Sequence, residues 1–280
     1  MTTAKVMVVT GVTGSIGAAA ARALLREGHH VVLVARDEAK ARAVAEGIPG
    51  ASFSTVGADL SSLESVRAAA GRIRRAHPAL HALVNVAAVM STSRKLTVDG
   101  AESMFGTNHL GPYLLSRLLL APLRAGQGRV VNVSAPSTVL PRFEDLDGAA
   151  KFSALGAFGA SKACNLLFTL AWERRYGGQG VHAVAFHPGL VRSTLLREMP
   201  APVRALTWLI SRPPEHAGEA LARLATGTSL DGARTFFKLD APIAMPKPVL
   251  RQDVQERLWE VSAQRTGLPV EDAEAQPVAA

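Results

Sequence analysis

The sequence has little that could cross-link the chain or ligate a metal. Its 280 residues include one cysteine, Cys164. A lone cysteine forms no intrachain disulfide and no Cys/His zinc cluster, and this cysteine usage is typical of a reducing compartment. A chain of this length buries enough apolar surface to fold without such links. We therefore expect a cytoplasmic protein with no metal site.

Long apolar runs and a targeting segment are missing as well. No run reaches the roughly 20 apolar residues that a membrane-spanning helix requires. The strand-like run Lys5–Thr10 lies close to the start, with no longer apolar stretch before it. This arrangement argues against a signal peptide. We therefore predict no membrane span.

Aromatic residues make up only 5% of the chain and include just two tyrosines, Tyr113 and Tyr176. The formal net charge of +8 could suit a nucleic-acid partner. The basic residues are nevertheless spread along the chain, and there are few aromatic rings on which bases could stack. The composition therefore predicts no nucleic-acid partner.

Apolar β-branched runs alternate with helical patterns through the first two-thirds of the chain. Such strands, separated by helices, are typical of a parallel sheet that is covered on both faces. The predicted strands are 6–10, 31–34, 51–56, 82–86, 129–133 and 181–186. The predicted helices are 15–26, one from about 38, 63–73, 100–120 and 157–175. The pattern predicts a single-domain α/β fold, a Rossmann-type doubly wound parallel sheet of at least six strands.

The segment after the sixth predicted strand interrupts this alternation. Residues 194–214 contain four prolines and an apolar group around Trp208. Ligands of such sheets bind beyond the carboxyl ends of the strands, so this segment is predicted to be a small apolar lid. An ordinary pair of surface helices is the alternative. We predict that the domain spans residues 1–267 and that residues 268–280 form a disordered tail.

A glycine-rich turn, Gly11-Val12-Thr13-Gly14-Ser15-Ile16-Gly17, joins the first strand to the first helix. At this position backbone amides and a helix N-terminus can bind a pyrophosphate. After the second strand, Ala35 and Arg36 stand where an acidic residue would accept the ribose hydroxyls of NAD. Arg36 instead offers positive charge to a 2′-phosphate, which favours NADP(H) over NAD(H).

Several further segments make the chain resemble the short-chain dehydrogenase/reductase family, and most of all its retinol-dehydrogenase-like branch. They are Ala58-Asp59-Leu60, Leu83-Val84-Asn85-Val86-Ala87-Ala88, Thr107-Asn108-His109-Leu110-Gly111, His187-Pro188-Gly189-Leu190-Val191-Arg192-Ser193 and the C-terminal 258–268. The resemblance covers nearly the whole chain. Together with the glycine turn, it implies these cofactor-binding residues: Gly11, Thr13, Gly14, Ser15, Ile16, Gly17, Arg36, Asp59, Leu60, Asn85, Lys162, Pro188, Gly189, Val191 and Ser193.

The catalytic pattern that this resemblance implies is incomplete. The family uses a tyrosine acid one helical turn before a lysine, so that both groups face the same side of the site. Here Lys162 is present, but the tyrosine position holds Phe158. The family's substrate-orienting serine is replaced by Ala135, whereas its active-site asparagine is matched by Asn108.

A different hydroxyl is therefore needed if the chain handles a carbonyl substrate. Ser137 and Thr138, on the loop that leaves the fifth strand, are the best-placed candidates. The predicted catalytic set is Asn108, Lys162, Ser137 and Thr138. The weaker candidates are Ser134, Ser153, Ser161 and His109.

Three functions stay open at this point. The first is an NADP(H)-dependent enzyme that acts on a lipophilic small molecule, for example a quinone, enone or imine, without the tyrosine acid. The second is a non-redox catalyst of cyclisation, dehydration or isomerisation, and the third is a non-catalytic dinucleotide-binding protein. Related enzymes dimerise through the helix that carries the lysine, and the apolar surface here, which includes Leu166, Leu167, Phe168, Leu170 and Trp172, implies a homodimer.

Overall fold

Eight strands form one sheet in the computed structural model, which describes residues 4–193, 195, 198, 201–227 and 235–271 without the side chains of residues 203, 204, 206 and 207. The strands are β1 (Val6–Thr10), β2 (His30–Ala35), β3 (Ser52–Gly57), β4 (Ala82–Asn85), β5 (Arg129–Val133), β6 (His182–His187), β7 (Phe236–Lys238) and β8 (Ala241–Pro242). Their order is β3-β2-β1-β4-β5-β6-β7-β8. The first seven strands are parallel, and β8 runs antiparallel to β7.

The strands are separated by helices, as the alternation predicts. The helices are α1 (Ser15–Arg26), α2 (Glu38–Ala43), α3 (Leu63–Ala76), α4 (Ser103–Phe105), α5 (Gly111–Leu118), α6 (Leu120–Ala125), α7 (Ala154–Tyr176), α8 (Ala201–Ile210), α9 (Pro214–Thr226) and α10 (Gln252–Thr266). A π-helical turn, Gly106–Leu110, connects α4 to α5.

Two apolar cores cover the two faces of the sheet. Successive residues of a strand point to opposite faces, so Val8 belongs to one core and Val9 to the other. The core that holds Val8 is closed by α3, α5, α7 and α10, and the core that holds Val9 by α1 and α9. Both residues are fully buried. The predicted doubly wound fold is therefore confirmed.

The helix predicted near residues 100–120 forms over residues 103–118, as α4, the π-helical turn and α5 in direct succession, and α6 continues beyond it to Ala125. The Gly111 N–H donates to the carbonyl of Gly106, which widens the turn by one residue. A Cβ at Gly111 would lie 2.4 Å from the Leu60 carbonyl oxygen, so this approach to the loop after β3 requires glycine.

The C-terminal helix α10 packs on α5 and α7 through Trp259. Its ring centroid lies 5.2 Å from that of Tyr113 and 6.0 Å from that of Phe168. The guanidinium groups of Arg117 and Arg175 lie over the same ring, at 4.9 and 4.3 Å from its centroid. Cation–π contacts of this kind fix α10 over the helices that carry the predicted catalytic segment.

Residues 268–270 are ordered, which corrects the predicted start of the tail. The Trp259 Nε1–H donates to the Val270 carbonyl at 2.8 Å, and Arg117 donates to the Pro269 carbonyl at 2.9 Å. Leu268 packs against the core. The rest of the predicted tail, residues 272–280, lies outside the described residues.

Four of the five apolar residues of α7 that suggested a dimer face are used inside the chain, and the fifth, Leu170, is half-buried. Leu166, Leu167, Phe168 and Trp172 are each at most 2% exposed, because the sheet and α10 cover them. By length and composition, the segment Ala154–Gln179 could cross a membrane, and it is the one such helix among the described residues. Its burial in the core that holds Val8 and in a third apolar cluster, which it forms with α10, marks it instead as a central helix of the domain.

Candidate active site

The predicted site residues gather at the carboxyl edge of the sheet. The glycine turn follows β1, Arg36 follows β2, Asp59 follows β3, and Pro188 follows β6. The order of the sheet reverses between β1 and β4, and this switch point opens a crevice for a ligand. The topology therefore brings segments that are distant in sequence to one cleft.

The turn after β1 leaves no room for side chains at two of its glycines. Gly11 has a φ of +68°, and a Cβ there would lie 2.7 Å from the Cα of Ala87. A Cβ at Gly17 would lie 2.3 Å from the Gly11 carbonyl oxygen. These contacts press the turn against the loop after β4 and bring the start of α1 close to the end of β1.

The N-terminus of α1 has unsatisfied donors. Gly14 occupies the N-cap position, where no side chain among the described residues caps the helix, and its first turn holds no acidic residue. Free N–H groups and the positive end of the helix dipole favour a bound phosphate. Thr13 is exposed and Ser15 half-buried beside this end. The turn therefore offers uncapped N–H groups at the position where the sequence predicts an anion site.

Both acidic residues after β2 hold the fold rather than face the cleft. Asp37 caps α2 by accepting from the Lys40 N–H at 3.1 Å. The Glu38 carboxylate accepts from the Gly57 N–H at 2.9 Å and from the Thr55 hydroxyl at 2.8 Å, which ties α2 to β3. Arg36 is exposed, and within the described part of the chain it makes no hydrogen bond or ion pair. Its guanidinium is left available for a ligand.

The loop after β3 places Asp59 at the same edge. Its Oδ1 accepts from the Ser61 N–H at 2.9 Å and from the Ser61 hydroxyl at 2.7 Å. Leu60 is buried beneath Gly111. These contacts fix the course of the loop beside the cleft, as a binding wall requires.

Asn85 lies inside the domain and not in the cleft. Its Nδ2 donates to Ser116 Oγ at 3.2 Å and to Asn132 Oδ1 at 2.9 Å, and the residue is 4% exposed. Asn132 in turn donates to Thr169 Oγ1 at 3.0 Å. This buried network joins β4 and β5 to α5 and α7. The amide nitrogen of Asn85 is therefore engaged inside the domain, and its Oδ1 is buried without a hydrogen-bond partner among the described residues.

The segment after β6 turns sharply at Gly189, whose φ is +75°. Beyond it, Val191 forms an isolated parallel bridge with Arg212, and the Arg212 N–H donates to the Leu190 carbonyl at 2.9 Å. This bridge closes the base of the predicted lid. Pro188, Val191 and Ser193 are half-buried along its inner edge.

The lid segment contains α8, and part of it lies outside the described residues. On α8, Trp208, Leu209 and Ile210 are 58%, 77% and 58% exposed. The guanidinium of Arg192 lies 5.2 Å from the Trp208 ring centroid.

Glu198 connects this segment to the loop after β4, and sequence reasoning missed it. Its carboxylate accepts from Lys95 Nζ at 2.9 Å, from the Ser91 hydroxyl at 3.1 Å and from the Thr92 N–H at 3.2 Å. Because β5 lies between β4 and β6 in the sheet, this link passes over the end of β5. More than 100 residues separate Glu198 from its partners, and no local pattern in the sequence indicates the contact.

Lys162 is buried in α7 and has an unusual environment. Its Nζ donates to the Val133 carbonyl at 3.3 Å, which is its one hydrogen bond to the described residues. The Phe158 ring centroid lies 5.5 Å from the same nitrogen, one helical turn earlier. Burial lowers the pKa of Lys162 from 10.5 to about 8. A phenyl ring therefore stands beside the lysine where the family resemblance implies a tyrosine hydroxyl.

Asn108 lies in the π-helical turn and uses its side chain to hold its surroundings. Its Oδ1 accepts from the Val89 N–H at 2.7 Å, and its Nδ2 donates to the Val89 carbonyl at 2.9 Å. The same amide nitrogen donates to Ser161 Oγ at 3.0 Å. Asn108 thus fixes the loop after β4 against α7, one residue from Lys162.

All four of the weaker hydroxyl or imidazole candidates are engaged elsewhere. Ser134 donates to the Lys162 carbonyl at 2.7 Å, and Ser161 donates to the Phe158 carbonyl at 2.8 Å. His109 is fully buried against Ser262, at 2.8 Å, and burial lowers its pKa to about 3. Ser153 caps the N-terminus of α7. None of these groups replaces the missing acid.

Ser137 and Thr138 differ in their contacts. Ser137 is half-buried against α7, where its Oγ would lie 3.3 Å from a Cβ at Gly159. Thr138 is exposed and makes no hydrogen bond within the described part of the chain. Cys164 is fully buried, and burial raises the pKa of its thiol, so it packs in the core as expected.

A cavity of about 690 Å³ lies away from this cleft. It is lined by residues such as Leu170, Ile243 and Met245, at the far end of α7 and beside the edge strand β8. None of the predicted site residues lines it. The chemistry-bearing residues belong to the open cleft at the carboxyl edge.

The residues at the cleft fit a nicotinamide dinucleotide. The glycine turn provides a cradle that a Cβ would fill, the start of α1 offers unpaired N–H groups to a pyrophosphate, and Arg36 offers a cation beside the end of β2. Lys162 offers a buried amine for ribose hydroxyls. Among the described residues, no group of three or more His, Cys, Asp or Glu side chains could hold a metal ion.

Comparison with known proteins agrees with this site. Residues 5–203 match the family model described as short chain dehydrogenase. The chain is 34% identical to retinol dehydrogenase 12 of Mus musculus over 276 residues, which cover 94% of this chain and 87% of that protein. It is 35% identical to human retinol dehydrogenase 11, over 95% of this chain and 87% of that protein.

Solved structures give the same result. An uncharacterized protein from Mycobacterium paratuberculosis is 29% identical, with a TM-score of 0.76 over 96% of this chain and 95% of that one. A metagenomic short-chain oxidoreductase, solved in complex with NADP, is 28% identical, with a TM-score of 0.63 over 86% of this chain and 98% of that one. The chain therefore belongs to the short-chain dehydrogenase family, whose members bind a nicotinamide dinucleotide, with similarity to its retinol dehydrogenases.

Proposed function

We propose that this chain is an NADPH-dependent reductase of a lipophilic small molecule whose reaction does not need the tyrosine acid. One observation carries the proposal. The glycine turn, the start of α1 and Lys162 keep a complete binding arrangement, while a phenyl ring lies beside the lysine in place of a hydroxyl. Quinones, enones and imines suit such a site, because water or the substrate itself can supply their protons.

When bound, the cofactor would supply a hydride, which carries two electrons and one hydrogen, and the remaining proton would come from solvent. The chain's own residues would bind the cofactor and position the walls of the cleft around the substrate. The Lys162 ammonium would donate to ribose hydroxyls, while Asn108 holds the loop after β4 against α7 and Glu198 links the two walls of the cleft above β5. Ser137 and Thr138 are the hydroxyls left for the substrate.

The preference for NADP(H) over NAD(H) rests on the end of β2. Asp37 accepts a hydrogen bond from Lys40, and Glu38 accepts hydrogen bonds from Thr55 and Gly57. Neither carboxylate is therefore free for the ribose hydroxyls that distinguish NAD. The exposed guanidinium of Arg36 is suited to a 2′-phosphate. The NADP complex of the metagenomic relative supports the same preference.

The apolar rim formed by Trp208, Leu209 and Ile210 supports a lipophilic substrate. The homodimer, the cytoplasmic location and the absence of a nucleic-acid partner stay predictions. The sheet and α10 cover four of the five apolar residues that suggested a dimer, whereas Leu170 is half-buried beside the cavity.

Calorimetric titration with NADPH and NADH, followed by assays with 9,10-phenanthrenequinone at 340 nm, tests this proposal. We expect tighter binding of NADPH and consumption of NADPH that depends on the quinone. Absence of NADPH binding would overturn the proposal. Binding without turnover of quinones, enones or imines would instead favour a non-catalytic dinucleotide-binding protein.

A non-redox catalyst is the second candidate. Phe158 favours it, because a phenyl ring at the tyrosine position has no proton to donate to a carbonyl oxygen. In such an enzyme, the cleft would promote a cyclisation, dehydration or isomerisation, with the dinucleotide absent or structural. Product formation at equal rates with NADP⁺, NADPH or neither, without a change in absorbance at 340 nm, would identify this second function.

A further inference from the structure

We infer that Ser137 supplies the hydrogen bond to the substrate oxygen that Ala135 no longer can, and this inference rests on the proposed reductase function. Ala135 stands at the family's serine position, two residues beyond the end of β5, and its methyl group offers no donor. Two features of the loop and one of α7 bring the Ser137 hydroxyl back to this place.

The first feature is a tight turn centred on Pro136. The Ser137 N–H donates to the Ala135 carbonyl at 2.7 Å, which closes a three-residue turn. The ring of Pro136 restricts φ to the range that such a turn uses. The chain therefore doubles back directly after β5, and the side chain two residues beyond Ala135 stays at the end of the strand.

The second feature determines which hydrogen bond the Ser137 hydroxyl can still form. The Val139 N–H donates to Ser137 Oγ at 3.2 Å, so the oxygen already accepts one bond. A serine hydroxyl has one proton to donate, and no described residue receives it. The group is thus prepared to act as a donor to a ligand.

The third feature is the close approach of the loop to α7 at Gly159. A Cβ at this position would lie 3.3 Å from Ser137 Oγ and 3.2 Å from Val139 Cγ2. Gly159 directly follows Phe158 in the helix. The missing side chain at Gly159 therefore makes the space in which the Ser137 hydroxyl lies beside the turn that carries Phe158 and Lys162.

Thr138, the other candidate hydroxyl, has none of these features. It is exposed and no hydrogen bond fixes its side chain within the described part of the chain. In the reaction, Ser137 keeps its proton: it stabilises the charge that builds on a carbonyl oxygen as the carbon gains hydride from NADPH, and water protonates that oxygen.

Three variants test the assignment: Ser137→Ala removes the donor, Gly159→Ala pushes it from its place, and Ser52→Ala, which removes an exposed hydroxyl at the start of β3 and so at the opposite edge of the sheet, is the control. Replacing glycine by alanine favours a helix, so Gly159→Ala tests position without weakening α7. With 9,10-phenanthrenequinone, we expect kcat/KM to fall about tenfold in the first two variants, as for loss of one net hydrogen bond, and to stay unchanged in the third.

A second readout does not depend on turnover. The infrared carbonyl stretch of the quinone, bound to protein saturated with NADP⁺, should move to higher frequency in Ser137→Ala and Gly159→Ala, because its oxygen loses a donor. Equal spectra and rates for Ser137→Ala and the parent would overturn the role of Ser137. Failure of NADPH to bind to the parent would instead overturn the proposed function.

Discussion

The two ends of the cleft are built from different kinds of atoms. At the cofactor end, the predicted site consists of backbone groups and of glycines without side chains. Gly11 allows close approach to Ala87 and Gly17 to the backbone of Gly11, and the N–H groups of α1 are left for the ligand. At the chemical end, the family's function depends on side-chain hydroxyl groups, and the positions that should carry them hold Phe158 and Ala135.

This difference explains how one end can persist while the other changes. A substitution in the glycine turn collides with the backbone of Ala87 or of Gly11, so it deforms the junction of β1 and α1. A phenylalanine at position 158 keeps the helix intact and still contacts Lys162 through its ring. A binding function that depends on backbone groups is lost only when the fold deforms, whereas a side-chain proton donor can be lost with the fold unchanged.

Restoring the chemical end should have the largest effect. The double variant Phe158→Tyr with Ala135→Ser places a phenol one turn before Lys162 and a hydroxyl at the end of β5. General acid catalysis contributes about 10²- to 10⁴-fold, so carbonyl reduction with NADPH should rise by a factor in this range. The rate of NADPH oxidation with 9,10-phenanthrenequinone or an aromatic aldehyde measures it.

The single variant Phe158→Tyr separates the contributions of the acid and of the serine. An unchanged rate in the double variant, with NADPH bound as in the parent, would show that the shape of the pocket rather than the missing acid limits the reaction. The contrast between the two ends would then be wrong as an explanation of the chemistry.

Damage to the cofactor end should have the next largest effect. In Gly11→Ala, the new Cβ lies 2.7 Å from Ala87 Cα and the backbone is held at a φ of +68°. The turn must move by a substantial part of an ångström, and we expect NADPH affinity to fall roughly a hundredfold, as misplaced binding groups do. Calorimetric titration with NADPH measures the loss.

Gly28→Ala is the matched control for this variant. Gly28 also has a positive φ, of +80°, but nothing lies within 4 Å of a Cβ there. It shares the backbone strain without the collision, so its thermal stability should fall while its affinity for NADPH stays that of the parent. Equal losses of affinity in both variants would show that backbone strain, and not contact with Ala87, causes the loss of NADPH affinity in Gly11→Ala.

The sequence revealed the cofactor end far better than the chemical end, for a physical reason. Strands, helix starts and the glycine turn follow from local patterns, and β1 and α1 begin and end where those patterns predict. Asn85 lies in a predicted strand end, but only the packing of α5 and α7 reveals that its amide faces inward. The contacts of Glu198 depend on residues more than 100 positions away, and local patterns carry no information about such pairs.

Lys162 links the two ends, and replacing it should have opposite effects on stability and binding. Burial of its ammonium, which moves its pKa from 10.5 to about 8, costs the folded state roughly 3 kcal/mol at pH 7. Lys162→Met should therefore raise the free energy of unfolding of the cofactor-free protein while NADPH affinity falls about tenfold, the usual value of a lost charged hydrogen bond.

The pH dependence of the parent follows from the same group. Because the folded-state pKa lies below that of the unfolded chain, the destabilising effect of Lys162 is full below about pH 8 and disappears as the pH rises toward 10.5. NADPH affinity should change in the opposite direction and fall as the pH rises through about 8. Affinity that is independent of pH in the parent, or unchanged in Lys162→Met, would remove the lysine from the binding site.

Removing the charge at position 36 should have the smallest effect. The Arg36 guanidinium is exposed, so water and salt weaken its attraction for a 2′-phosphate, and we expect Arg36→Ala to reduce NADPH affinity about tenfold at most. NADH lacks this phosphate, so its affinity should stay constant and the ratio of the two dissociation constants should shift toward one. Lys40→Ala removes another exposed cation near the same loop and should leave that ratio unchanged. If Arg36→Ala weakens the binding of NADPH and NADH equally, the residue supports the loop and does not bind the 2′-phosphate. Other residues of the cleft would then have to determine the cofactor preference.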